Sequence, residues 1–106
     1  MPDYNPEHET VLHNVMQGMA GATTGKMFGF PAYKVNGKLA VGLQSAGIIA
    51  KVGKTRAGEL IGQPGIGAFE PRSGQVWRDY VLLTDNFDQH RAVFEEAVRY
   101  VLAETS

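Results

Sequence analysis

Cysteine is absent from this chain of 106 residues, and so is any long apolar run. The absence of thiols excludes disulfide bonds, thiol catalysis and thiolate metal sites. Because every apolar stretch is shorter than the roughly 20 residues that cross a bilayer, we expect no membrane partner. The first residues, Met1-Pro2-Asp3-Tyr4, lack the basic and apolar regions of a signal peptide, so we expect a cytoplasmic protein.

Acidic residues are also absent between positions 10 and 58, where the chain carries six cations. Residues 1–9 hold three acids, and residues 59–106 hold eight acids and four arginines, so the three segments carry charges of −3, +6 and −4. The net charge of only −1 argues against a strongly electrostatic nucleic-acid binder. The chain is nevertheless divided into a basic middle segment and two acidic flanks.

The remaining composition is that of one globular domain. The apolar fraction of 43% and the charged fraction of 20% favour neither disorder nor a coiled coil. A chain of this length can bury a hydrophobic core. We therefore expect residues 1–106 to form a single domain.

The first third of the chain predicts a helix and a hairpin. Apolar residues recur at helical spacing after Asn5, a good helix cap, which predicts a helix over residues 6–19. The glycine-containing residues 18–25 break this pattern. Residues 26–35 are rich in aromatic and β-branched side chains and predict a strand. Asn36-Gly37 is a preferred pair for the type I′ turn of a β-hairpin.

Residues 38–43 predict the second strand of that hairpin, because apolar residues alternate along it with small or charged ones. We expect Leu39, Val41 and Leu43 to face the helices and Lys38, Ala40 and Gly42 to face away from them. A turn at residues 45–47 and a further strand over residues 48–52 follow.

The second half predicts a short helix, a loop, a strand and a final helix. Thr55 is placed to cap a short helix that ends at Ile61, and the four glycines and two prolines of residues 62–74 predict a long surface loop. Residues 77–83 predict the last strand, and helical periodicity begins at about Asp85. This order lacks repeated βαβ units, so we predict an α+β domain with an antiparallel sheet of about five strands and helices packed on one face.

Two histidines lie in a segment that resembles the helix of zinc proteases, His8-Glu9-Thr10-Val11-Leu12-His13. In that helix the two histidines stand four residues apart, which places both on one face. Here they stand five apart, and the side chains diverge by roughly 140°. We interpret His8 as partly packed and His13 as solvated, and we expect no metal site and no cofactor.

Other short motifs are incomplete. Gly53-Lys54-Thr55 resembles the end of a phosphate-binding loop, but the glycines that would form the loop are missing. Gly65-Ile66-Gly67 lacks the third glycine of a dinucleotide-binding fingerprint. Neither Ser45 nor Ser73 lies in the strand-turn-helix context of a catalytic serine. We therefore expect no catalytic residue.

Two surfaces remain as candidates for binding. Glu70 and Arg72 lie in the predicted long loop and are candidates for loop stabilisation or contact with a partner. The other candidate is a basic face of the sheet, formed by cations of the middle segment. We expect its centre to contain Lys34, Lys38 and Lys51, its edge Lys54 and Arg56, and Phe28 to offer an aromatic ring beside them.

Several short motifs resemble, in the same order, the N-terminal domain of the TfoX (Sxy) family of competence regulators. They are Lys26-Met27-Phe28-Gly29, residues 35–40, Gly47, Phe69-Glu70-Pro71 and Asp79-Tyr80-Val81. The resemblance covers roughly residues 10–103. It departs from the family at Phe30, where the family motif continues with a second glycine.

This resemblance implies a compact α+β domain with an antiparallel sheet, similar to the secretion-chaperone-like folds. It implies no enzymatic activity and no catalytic residues. Full-length regulators of this family carry a second, C-terminal domain, whereas the resemblance here covers only the first. A transcriptional role therefore does not follow from it.

Three functional hypotheses follow from these observations. The first is a non-catalytic regulatory or protein-interaction module. The second is a binder of single-stranded nucleic acid or another anionic ligand, which would use the basic sheet face and stack bases on Phe28. The third is an uncharacterised enzyme that uses His8, Glu70 or Tyr80. We also expect a homodimer, because pairing would cover a sheet face that the helices leave open.

Overall fold

Six strands form one antiparallel sheet in the computed structural model, which describes residues 4–105. Asp3, counted above among the acids, lies outside them. The elements are α1 (Pro6–Met16), β1 (Ala22–Met27), β2 (Phe30–Val35), β3 (Lys38–Leu43), β4 (Ile48–Lys51), α2 (Lys54–Leu60), β5 (Ile66–Arg72), β6 (Gln75–Leu83) and α3 (Arg91–Thr105). The strands lie in the order β1-β2-β3-β4-β6-β5. The predicted α+β class with an antiparallel sheet is confirmed, with six strands instead of about five.

Helix α1 begins as the sequence predicts and ends earlier. The Asn5 side chain accepts a hydrogen bond from the backbone N–H of Glu7 at 2.9 Å, and Pro6 occupies the first helical turn, where its missing N–H costs nothing. The helix ends at Met16 because Gln17 is extended and Gly18 has a φ of 81°. Within residues 4–105, no helix is long and apolar enough to cross a membrane.

The first half of the sheet contains two tight hairpins, of which the sequence predicted one. Asn36 and Gly37 have φ values of 52° and 82°, so the turn between β2 and β3 has the predicted positive φ angles. The prediction that residues 18–25 only break the helix is wrong for residues 22–25, which belong to strand β1. Gly25 is tolerated there because β1 is an edge strand and the Lys34 side chain packs over it.

A β-bulge changes which side chains of β3 face the helices. The register of β2 with β3 shifts after the pair Tyr33 and Val41, and resumes at Lys34 and Leu39. Ala40 is therefore fully buried in the core. Leu39 lies on the opposite face of the sheet beside Gly42, where it is 3.4 Å from the position that a Cβ of residue 42 would occupy. The prediction that Leu39 faces the helices and Ala40 faces away is wrong, because a bulge interrupts the alternation on which it rested.

Three predictions in the second half also need correction. The predicted loop of residues 62–74 contains strand β5, which accepts its glycine and proline residues because it lies at the sheet edge. Helix α2 is preceded by Gly53, and Thr55 makes no capping hydrogen bond. Helix α3 begins at Arg91 instead of about residue 85, after a series of turns.

The main core lies between the three helices and one face of the sheet. Cross-strand partners share a face, and the chain of pairs Val41–Ala50, Ala50–Val81 and Ile48–Leu83 defines the face toward the helices. These side chains are fully buried together with apolar residues of every helix: Leu12, Ala57, Leu60, Phe94, Ala97 and Val101. The predicted packing of helices on this face is confirmed.

The opposite face is less open than the sequence suggests. Ala32, Gly42 and Ile49 lie next to one another there, yet Ile49 is 0% and Ala32 2% exposed. The sheet curls over this face: Phe28, in the β1–β2 turn, reaches Trp77 on β6 with ring centroids 6.0 Å apart. In a flat sheet, β2 and β6 would be three strand spacings, or about 14 Å, apart. The homodimer prediction therefore loses the open face on which it depended.

Gly47 is predicted to be indispensable to this sheet. A Cβ at this position would overlap the backbone carbonyl oxygen of Leu83, which cannot move without disturbing β6. Gly47→Ala should lower the free energy of unfolding by about 2–3 kcal/mol, measured by urea denaturation. Gly67→Ala is the matched control, since nothing lies within 4 Å of its Cβ position. Equal effects of the two substitutions would contradict the prediction.

Candidate interaction surface

Four aromatic side chains cluster where the β1–β2 turn meets the β5–β6 hairpin. The Trp77 ring is at the centre of the cluster, with centroid distances of 5.2 Å to Phe69, 5.2 Å to Tyr80 and 6.0 Å to Phe28. The contact between Phe69 and Trp77 is edge-to-face, with an interplanar angle of 89°. Such pairs contribute about 0.5–1.5 kcal/mol beyond burial, so the cluster holds the Trp77 ring in place.

An irregularity in β6 brings these rings together. Ala68 pairs with Val81, but the next residue of β5, Phe69, pairs with Trp77, so residues 78–80 have no partner on β5. The Asp79 carbonyl within this stretch instead accepts hydrogen bonds from the N–H groups of Val52 and Gly53, at 2.9 and 3.0 Å. Bulges redirect side chains and often lie beside functional sites.

Phe28 is presented by a strained turn. Met27 and Phe30 are paired strand residues, so Phe28 and Gly29 are the two central residues of a type I′ hairpin turn, with φ values of 56° and 79°. A left-handed backbone is unfavourable for a bulky residue by about 1–2 kcal/mol. The Phe28 side chain is nevertheless 59% exposed. Because neither the left-handed backbone nor the exposed ring stabilises the fold, both indicate that Phe28 has a functional role, such as contact with a partner.

Most of the exposed apolar side chains of the described chain surround this cluster. Four large apolar residues are exposed in residues 4–105, and three of them contact Trp77 or line a pocket with it. Three cations line pockets together with these residues. We call this region the Trp77 surface; it consists of Trp77, the apolar residues Phe28, Ile61 and Val76, and the cations Lys54, Arg72 and Arg78.

Two pockets of the Trp77 surface contain cations and no carboxylate. The larger one, of about 330 Å³, lies between α2 and β6, and its lining includes Lys54, Arg78 and Trp77. The other, of about 280 Å³, lies between Phe28 and Arg72. None of the three cations forms an ion pair with a carboxylate of residues 4–105. Asp79 lines a further pocket together with Val76, Trp77 and Arg78. Glu70 lines another, and it accepts a hydrogen bond from the Gly74 N–H at 3.2 Å.

The structure divides the cations that were predicted to form one basic sheet face. Lys51 is paired with Glu104 of α3 at 2.8 Å, and Arg56 with Glu96 at 2.7 Å and Glu59 at 3.1 Å. Their charge is therefore largely neutralised within the chain. The Arg56 pKa is raised chiefly by its hydrogen bond to Glu96.

The other predicted cations have three different environments. The Lys34 side chain lies over Gly25 of β1, whereas Lys38, whose strand partner is the core residue Val35, lies near Glu104 and helps to lower its pKa. Lys54 lines the pocket beside Trp77. Of the predicted surface, only Phe28 and Lys54 belong to the Trp77 surface, and Arg72 joins them from the predicted loop.

The proposed catalytic residues lie in separate environments. His8 packs edge-to-face on Phe87, with centroids 5.2 Å apart, and Tyr80 belongs to the aromatic cluster. Glu70 supports the tip of the β5–β6 hairpin through Gly74. His13 is hydrogen-bonded to the Tyr33 hydroxyl at 2.7 Å instead of being only solvated. In residues 4–105, no group of three or more His, Asp or Glu side chains could hold a metal ion.

Sequence reasoning missed the importance of Trp77, Val76, Ile61 and Arg78. Trp77 was interpreted as part of the last strand and Ile61 as the end of a helix, whereas Val76 was assigned to no element. One available signal was the apolar character of residues 76 and 77 on both sides of the strand, since adjacent strand residues point to opposite faces. The bulge that groups them has no comparable signal in the sequence.

Comparison with known proteins adds no relative. No protein-family model, no curated protein and no solved structure matches this chain.

The strain at Phe28 can be tested with two substitutions. Phe28→Asn removes the ring and places a residue that tolerates the left-handed backbone, so the free energy of unfolding should stay within about 0.5 kcal/mol of that of the native chain. Phe28→Ala removes the ring and keeps the backbone penalty, so it should be less stable than the Asn variant by about 1 kcal/mol. Urea denaturation followed by circular dichroism measures both. Equal stabilities of the two variants would contradict the assigned strain.

The pairing of Lys51 with Glu104 predicts a pH-dependent effect. The hydrogen bond from Lys51 lowers the Glu104 pKa below its ordinary value of 4.5. Burial alone would lower the Lys51 pKa, but the hydrogen bond to Glu104 and nearby charges raise it overall. Because the folded-state pKa of Glu104 is lowered, its contribution to stability is present above the ordinary pKa and is lost as the pH falls through the lowered one.

Glu104→Gln should therefore lower the melting temperature at neutral pH, and the difference should vanish as the pH falls through the lowered pKa of the native Glu104. Glu95→Gln is the control, because Glu95 is exposed on the same helix and forms no ion pair with residues 4–105. A pH-independent difference between Glu104→Gln and the native chain would refute the pairing as its cause.

Proposed function

We propose that this chain is a non-catalytic protein-interaction module that binds its partner through the Trp77 surface. One observation carries the proposal: three exposed apolar side chains surround the Trp77 ring, with three cations beside them that no carboxylate of residues 4–105 neutralises. Tryptophan, tyrosine and arginine are the residue types that contribute most to binding energy at protein interfaces.

The composition of the surface favours a protein partner. Exposed apolar side chains gain about 25 cal/mol for each Å² that a partner covers, and the Trp77 ring, which already packs on Phe69 and Tyr80, loses little conformational entropy on binding. Cations around an apolar centre resemble the polar rim of an interface, where charge sets orientation and association rate. Catalysis has no comparable support among the described side chains.

We also infer that the chain is a TfoX N-terminal-like domain with a regulatory role. Three of the motifs that carry this resemblance meet at one place in the fold. Phe28 lies in the first of them, Phe69 in the loop motif and Tyr80 in the strand motif, and all three rings belong to the aromatic cluster around Trp77. A surface for a partner explains why such motifs, distant in sequence, share one location.

A single-stranded nucleic acid is the second candidate ligand. The observation in its favour is the juxtaposition of the exposed Phe28 ring with Arg72, since aromatic stacking beside cations is the usual mode of single-strand binding. The division of the predicted basic face counts against it, because Lys51 and Arg56 are neutralised within the chain. Binding to oligonucleotides at low salt, detected by gel shift, would favour this candidate.

The predicted homodimer is not the partner that this surface favours. A two-fold symmetric interface places the same patch of each copy against the other. Pairing two Trp77 surfaces would therefore bring the cations of both copies, Lys54, Arg72 and Arg78 of each, into one interface. Like charges at such an interface are unfavourable, so a chemically different partner is the better occupant.

Affinity capture with matched variants tests the proposed function. We expect a protein partner from the source cell to be retained by the native chain and to lose at least about tenfold in affinity with Phe28→Asn, as expected when an interface centre is truncated. Leu102→Gln is the control, because Leu102 on α3 is 43% exposed and lines none of the pockets around Trp77. Partners that bind Phe28→Asn and the native chain equally would refute the assignment of the surface.

A further inference from the structure

Gly58 occupies a position where nothing in the chain itself requires a glycine. It lies inside helix α2, its φ is not positive, and a Cβ built on it has no other atom within 4 Å. Glycine inside a helix costs about 0.5–1 kcal/mol relative to alanine. Gly58 lines the pocket beside Trp77, so the missing side chain leaves that pocket open on the side of α2.

That pocket has apolar walls and a cationic rim. Gly58, Ile61 and Ala68 line it together with Val76, Trp77 and Tyr80, and Lys54 and Arg78 complete the lining. Its volume of about 330 Å³ lies at the low end of the range of small-molecule sites, ~300–1,000 Å³. A pocket of this size and composition suits one apolar side chain better than a large cofactor.

We propose that this pocket receives a single aliphatic side chain of an acidic peptide segment of the partner, with carboxylates of the segment placed against Lys54 and Arg78. The proposal rests on the proposed function and names the chemistry of the partner. Apolar anchors in pockets supply most of the energy of such interfaces, while charges around them supply orientation.

Charge and shape both favour an acidic peptide. Lys54 and Arg78 have no carboxylate partner in residues 4–105, and no acid lines the pocket, so its rim is positively charged and favours the carboxylates of an acidic segment. Ile61 and Val76 are more than 40% exposed, at 41% and 42%, and would gain from contact with an apolar anchor. A nucleic acid would satisfy the cations but offers no aliphatic group for a pocket with these walls.

Fluorescence of Trp77, the sole tryptophan of the chain, reports occupancy of the pocket directly. The probes are tryptophan-free peptides of about ten residues, rich in Asp and Glu, with one central Leu or, as the matched control, one central Ala. Each is titrated into the full chain at low and at physiological salt. We expect saturable binding of the Leu peptide with at least about tenfold higher affinity than the Ala peptide, the equivalent of one buried anchor at about 1.4 kcal/mol.

Two substitutions at Gly58 separate pocket filling from loss of fold. Gly58→Leu places a side chain in the pocket and should abolish the preference for the Leu peptide, while its Cβ meets no other atom. Gly58→Ala fills far less of the space, should retain the preference in part, and should raise the melting temperature because alanine favours the helix. Arg78→Glu should weaken both peptides and make binding less sensitive to salt.

Several results would overturn this proposal. They are equal affinities of the Leu and Ala peptides, retention of the Leu preference by Gly58→Leu, or tighter binding of a single-stranded oligonucleotide of about 15 nucleotides than of the Leu peptide. The affinity capture above distinguishes this failure from failure of the proposed function. If Phe28→Asn weakens binding of the captured partner and Gly58→Leu does not, the interaction surface stands and the pocket assignment falls. If neither substitution weakens it, both assignments fall.

Discussion

One carbonyl oxygen, that of Asp79, connects the two halves of the interaction surface. It accepts hydrogen bonds from Val52 and Gly53, and thereby ties the irregular part of β6 to the segment that leads into α2. These residues of β6 have no partner on β5, whereas the pairing with β4 continues from Lys51 and Tyr80 to the Asp79 carbonyl. The same two hydrogen bonds therefore position the strand that carries Trp77 and the start of α2 relative to each other. The pocket between α2 and β6 depends on this arrangement.

The curl of the sheet is the second consequence of irregular pairing. Bulges at β2–β3 and β5–β6 increase twist, and the ends of the sheet approach each other until Phe28 contacts Trp77. Ile49 is consequently buried although it lies on the face opposite the helical core. The chain thus hides most of that face by itself and leaves its exposed apolar area at the rim, around Trp77, where a partner can reach it.

Several features that the fold itself does not require lie at this rim. Phe28 has a left-handed backbone and an exposed ring, Gly58 weakens a helix for no internal reason, and neighbouring cations lack carboxylates. Away from this rim, Gly47 is needed beside the Leu83 carbonyl, and Lys51 and Arg56 are paired with acids. Departures from local rules that cluster in one place are expected of functional sites.

The sequence by itself determined the local elements whose signals depend on neighbouring residues: the Asn5 cap, the Asn36-Gly37 turn, strand β3 and the apolar face of α3. It also limited the chemistry, since a chain without cysteine has no thiolate. Strands β1 and β5 were missed because edge strands accept glycine and proline, which local patterns interpret as loops. The tertiary structure alone decided that Phe28 meets Trp77, that Ala40 rather than Leu39 enters the core, and that Lys51 and Arg56 are neutralised. Each of these depends on register and curvature, which arise from pairing between distant segments and leave no mark on the spacing of residues along the chain.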